Sequence, residues 1–144
     1  MLGRTALRLA VMMFVMAFAG IAQGQDNIQK YFSDTACKVK ATTDPSQKRE
    51  ILNKSFERMF TALNTVQSST LISKDDKAGI DRLKVILKEK QDELAGINGY
   101  EPVPDAQLNA FADYVVQDME QATQTVTISL VALLLIIIIV ILIV

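Results

Sequence analysis

The stretch ILNKSFERMFTALNTV, residues 51–66, places Leu52, Phe56, Met59, Phe60, Leu63 and Val66 at offsets of 0, 4, 7, 8, 11 and 14. This spacing follows the 3.6-residue helical turn and lays one apolar stripe along one side of a helix. Lys48, Arg49, Lys54 and Arg58 all fall off the stripe. A helix patterned this way wets one face and must cover the other with a neighbour. Just upstream, TTDPS at residues 42–46 marks the helix start. Asp44 or Thr43 can cap it, and Pro45 suits the first helical position, where its missing N–H costs nothing.

The same reading extends in both directions. Residues 26–39 form a first helix with Ile28, Tyr31, Phe32, Ala36 and Val39 near one face. QSST, residues 67–70, breaks the second helix. A third opens at SKDD, residues 73–76, where Ser73 caps and Asp75 and Asp76 occupy the first turn, favoured there by the helix dipole. Its buried side carries Ile80, Leu83, Ile86, Leu87, Leu94 and Ile97. Lys90 interrupts that seam and is expected to snorkel at a bundle edge. GING, residues 96–99, offers Gly96 or Gly99 as a left-handed C-cap. Pro102 and Pro104 then forbid a helical interior. Asp105 can cap a fourth helix, whose stripe is Leu108, Phe111, Val115, Met119 and Ala122. Short connections favour antiparallel neighbours. The expected fold is all-α: a small up-and-down bundle of three to four helices.

No Gly or Pro follows Pro104, so the fourth helix is expected to run on to Val144 as one rod of about 40 residues, near 60 Å long. Its last part reads SLVALLLIIIIVILIV, residues 129–144, without a charge. Val126 to Val144 is nineteen residues, about 28 Å as a helix, which nearly matches a bilayer core. Fifteen of the seventeen residues 128–144 are Leu, Ile or Val, so their combined transfer into hydrocarbon is favourable. Residues 126–144 are therefore expected to be a C-terminal transmembrane anchor.

The other end reads as a secretory signal peptide over residues 1–24. Arg4 and Arg8 precede a fourteen-residue apolar stretch, Leu9 to Ala22, and Ala22-Gln23-Gly24 fits a cleavage site. An extracytoplasmic helical domain, residues 25–125, then stands on the anchor, in a periplasmic or extracellular space. A lipid-anchored precursor whose apolar tail is removed is the alternative. It requires a small-residue site some 8–12 residues before the tail; YVVQD, residues 114–118, supplies none.

Charge is unevenly placed. Residues 25–90 hold 13 bases and 9 acids, and residues 91–144 hold seven acids and no base. The acidic fourth helix is expected to pack against basic faces of the earlier ones. This balance, with no aromatic interleaving, argues against a nucleic-acid surface. The single cysteine, Cys37, cannot close an internal disulfide. It reads as a small buried helical residue, or else as the site of an intermolecular disulfide.

Catalytic and cofactor chemistry has little to build on. The chain has no histidine, the usual base near neutral pH and the commonest metal ligand. One Cys cannot make a thiolate zinc site. Glycine-rich phosphate loops, a nucleophile elbow and a zinc-protease helix are all missing from the sequence. Asp75 and Asp76 are accounted for by the helix start. The expectation is a protein that is not an enzyme, with no cofactor and no catalytic or metal site. It would be a membrane-tethered interaction or adaptor module with a protein partner or self-association, or alternatively an accessory subunit of a membrane complex.

Overall fold

A computed structural model describes residues 25–126 and 128–143. The expected signal peptide, residues 1–24, lies outside the described residues. Five α-helices follow one another: α1, Gln25–Ala41; α2, Pro45–Gln67; α3, Lys74–Ala95; α4, Leu108–Thr125; and α5, Leu130–Ile143. A 3-10 turn, Asp105–Gln107, leads into α4. No strand occurs among the described residues.

The start signals in the sequence act as their chemistry dictates. The Asp44 side chain accepts the Ser46 backbone N–H, with Pro45 in the first turn of α2. The Ser73 hydroxyl accepts the Asp76 N–H at the head of α3. Gly96 closes α3 in the left-handed region at φ +72°, and its N–H returns to the Asp92 carbonyl. The pyrrolidine of Pro102 sits where a Cβ on Gly96 would be, 2.5 Å away. Only glycine satisfies both demands. Asp105 departs from expectation: it makes no cap bond and instead holds Arg49, which also donates to the Val103 carbonyl. The two-proline loop is thereby pinned to α2.

The stripes meet in one core. α1 packs most extensively on α4, and α2 packs on α1, α3 and α5. Phe32, Phe56, Met59, Leu63, Leu83 and Leu108 are among the fully buried side chains. A polar seam crosses the α1–α2 contact, where the Tyr31 hydroxyl donates to the Ser55 carbonyl and Thr35 and Ser55 share a hydrogen bond of 2.8 Å. Burial raises the Tyr31 phenol above its usual range despite its bond to Ser55. The acidic α4 does meet bases from earlier helices: Lys40 pairs with Asp113, Lys48 donates to Asn109, and Lys90 pairs with Asp118.

The largest correction concerns the end of the chain. α4 does not continue as a rod. Val126 takes an extended conformation, φ −94° and ψ 127°, and the chain turns before Leu130. α5 then folds back along α2 and touches α1. Among the described residues the bundle accordingly has five helices rather than three or four. At 14 residues α5 is about 21 Å long, and no helix among the described residues is long and apolar enough to cross a membrane. The physical reason is local competition. The groove beside α2 offers apolar burial to one side of the segment, and bonds from Ser129 to Asp76 fix the turn.

Further expectations are also corrected. Lys90 is not at an edge but 2 % exposed. Ile97 lies beyond the α3 C-cap and is exposed, and Ile86 is half-buried. Cys37 faces solvent on α1 rather than the core.

Candidate functional site: the docked apolar helix

α5 reads LVALLLIIIIVILI and is apolar on every side. Ala132, Leu133, Ile136, Ile137 and Val140 turn inward and join the core. Leu130, Val131, Leu142 and Ile143 stay exposed, between 41 % and 66 %. A helix shaped only for one-sided packing would carry polar residues on its outer face. This one does not. Between these two exposed ends, Leu134, Leu135, Ile138 and Ile139 are half-buried. Leu71, Val85 and Ile97, also exposed, stand apart on other elements.

The turn before α5 is built around one carboxylate. Asp76, 6 % exposed, accepts the Ser129 backbone N–H at 2.8 Å through one oxygen and the Ser129 hydroxyl at 2.7 Å through the other. The same Ser129 oxygen accepts the Ala132 N–H, so Ser129 is the N-cap of α5. The head of α3 and the head of α5 therefore share one hydrogen-bonded knot. Burial by itself would raise the Asp76 carboxyl. The bonds from Ser129 and Ser73 outweigh it and hold the group below the usual aspartate range. On the other side of the break, the Thr125 hydroxyl and the Val126 N–H both donate to the Ala122 carbonyl at the end of α4.

Asp76 escapes sequence reading because its position explains it too well. Ser73-Lys74-Asp75-Asp76 has the spacing of a local capping motif, which leaves no reason to look 53 residues ahead. The usable signal is Ser129 itself, a hydroxyl residue standing immediately before an uninterrupted apolar run, where a new helix would need an N-cap.

A second knot ties α3 to α4. Lys90 pairs with Asp118 and, at 3.2 Å, with Glu93, and its ammonium lies 4.0 Å over the Tyr114 ring. Desolvation would lower the Lys90 pKa. The bonds to Asp118, Tyr114 and Glu93 prevail and raise it well above the usual lysine range. Lys90 is thus a fixed cation, unsuited to giving or taking protons near neutrality. Nearby, Asp92 accepts from Lys88 and Asn98, which hold its carboxyl below the usual range and brace the turn at residues 96–99. The shallow depression on the outer face of α3, bordered by Asp81, Lys84, Lys88 and Tyr100, is open to solvent. No buried side-chain nitrogen or oxygen lacks a partner among the described residues, nor do acids gather there into a metal-ligating group.

The sequence-read residues thus separate. Asp76 joins the α5 knot, Asp75 stays exposed, and Cys37 stands alone on α1. No protein-family model, curated protein or solved structure matches the chain.

For a segment of this composition, burial in a protein groove and transfer into hydrocarbon are comparable in energy. Seating Leu133, Ile136, Ile137 and Val140 in the groove is worth roughly 1.5–3 kcal/mol each before conformational entropy is deducted. Transfer of the Leu, Ile and Val residues of 128–144 into a bilayer is worth about 0.3–0.6 kcal/mol each for fifteen of them, near 4–9 kcal/mol together. Neither environment wins by a margin that makes the other irrelevant.

Proposed function

We propose that this protein is a membrane-attached helical-bundle interaction module that binds rather than catalyses. Its exported bundle faces the extracytoplasmic side, and its C-terminal apolar segment, residues 126–144, provides the attachment. The observation that carries the reading is α5 itself: an all-apolar helix with both ends exposed and the side between them half-exposed. Water tolerates such a helix poorly, and apolar side chains left accessible along one element mark a protein or lipid contact. Bases of α1 and α2 are engaged by the α4 side of the bundle, Lys40 with Asp113, Arg49 with Asp105 just before α4 and Lys48 with the Asn109 amide, which leaves the charged surface suited to a protein partner rather than nucleic acid.

Alkaline carbonate extraction of membranes from cells making the full chain tests the attachment, with intact-mass analysis of what remains. The expected result is sedimenting material that lacks residues 1–24 and retains residues 126–144. Release of that species into the carbonate wash would refute attachment. In-cell cross-linking tests the interaction: recovery of bare monomer alone would refute a binding role.

A further inference from the structure

We infer that α5 has two seats, the groove beside α2 and the bilayer, and that the Asp76–Ser129 knot sets the balance between them. The inference rests on the membrane reading above and concerns how that attachment is controlled. Three observations support it independently of any pKa. First, α5 is apolar all round, so a lipid environment can cover the faces that a one-sided groove leaves accessible. Second, the segment is too short to span a bilayer as it sits, at 14 residues, yet residues 126–144 make about 28 Å of helix once the break closes. Third, the break carries no Gly or Pro. Both of the bonds that Ser129 makes to the rest of the bundle go to one side chain, Asp76.

Hydrocarbon provides the reason for the break to close. An interrupted backbone has no partners in lipid, so the segment must bond to itself as a continuous helix. Within that helix the Ser129 hydroxyl can turn back onto the carbonyl one turn earlier, as serines in apolar helices do. In water the Asp76 carboxylate takes the Ser129 donors instead and starts a second helix that can turn into the groove. The occupant of the outer α5 face is therefore lipid. The charge-free run from Gln121 to Val144 and the match of nineteen helical residues to the hydrocarbon thickness specify it.

The test uses the full chain with Leu134→Trp as reporter, since the protein has no other tryptophan. Leu134 is half-buried, and it falls near the middle of residues 126–144. Vesicles of zwitterionic lipid brominated near the bilayer midplane quench the reporter only when the segment is inserted deeply. Asp76→Asn and, separately, Ser129→Ala are compared with the parent after circular dichroism shows that each keeps its helix content without lipid. Loss of bonds to a charged acceptor should raise the ratio of inserted to docked α5 about tenfold for Asp76→Asn, and less for Ser129→Ala. Equal deep quenching in all three proteins would overturn the knot's role and leave the membrane reading intact. No deep quenching in any of them would overturn both.

Discussion

Replacing Lys90 with Met removes one charge from the α3–α4 contact while keeping most of the stem. The Lys90 side chain is 2 % exposed, whereas its partners Asp118 and Glu93 retain 27 % and 17 %. Removing one member of a fully buried pair costs about 3–5 kcal/mol, because the survivor is left charged in a poor solvent. Here both survivors can still reach water, so the expected loss falls to about 2–3 kcal/mol, including the contact with the Tyr114 ring. In urea that corresponds to a fall in midpoint of about 1–2 M with an unchanged slope. A lysine snorkelling at the surface, as its place in the sequence suggests, would contribute about 0–1 kcal/mol and barely move the midpoint. Adding Asp118→Leu to the Lys90→Met protein should recover at least half of the loss, since the orphaned carboxylate is what costs most. A midpoint shift below about 0.3 M for Lys90→Met, or no recovery in the double variant, would refute the reasoning.

Gly96→Ala and Gly99→Ala should separate cleanly, although both glycines have positive φ. At Gly99 the new methyl meets nothing within 4 Å, so only the left-handed backbone penalty of about 1 kcal/mol applies. At Gly96 it also collides with Pro102, and thermal unfolding should show a loss at least twice as large. Acid should loosen the α5 turn. Asp76 and Asp92 are held below their unfolded values, so their contributions are complete above about pH 4 and disappear as pH falls through the folded pKa values. Protection factors against hydrogen exchange for the amides of Ser129, Gly96 and Ile97 should therefore fall below pH 4 before the core opens. Unchanged protection there at pH 3 would count against that assignment. Lys90 has the opposite sign: its raised pKa keeps its contribution complete below the unfolded lysine value near 10.4, with loss confined to more alkaline solution. Cys37, being exposed, should react fully with a thiol reagent in the native protein. Labelling only after denaturation would contradict its placement.

The helices themselves were legible because each carries its own instructions. Leu52 through Val66 specify a stripe by spacing alone, and Asp44, Ser73 and Gly96 act through bonds to backbone a few residues away. Local chemistry of that kind is decided within one or two turns, so a one-dimensional reading captures it. The charge imbalance between residues 25–90 and 91–144 was likewise open to inspection, and Lys40 and Arg49 meet Asp113 on α4 and Asp105 on its approach as the imbalance suggested.

The fate of residues 126–144 was not decided that way. Composition determines that the segment must leave water, since fifteen Leu, Ile and Val residues in seventeen permit little else. Composition does not determine which apolar environment receives it, because the hydrophobic effect is non-directional and rewards burial in a groove as it does burial in lipid. Only the folded bundle brings Asp76 to Ser129 across 53 residues and sets an open groove of α2 beside the turn. In the same way Lys90 looked like a surface lysine until α4 placed Asp118 and Tyr114 around its ammonium. A hydrophobic run reports how strongly a segment avoids water; directional bonds from distant residues, assembled only by tertiary structure, decide where it goes.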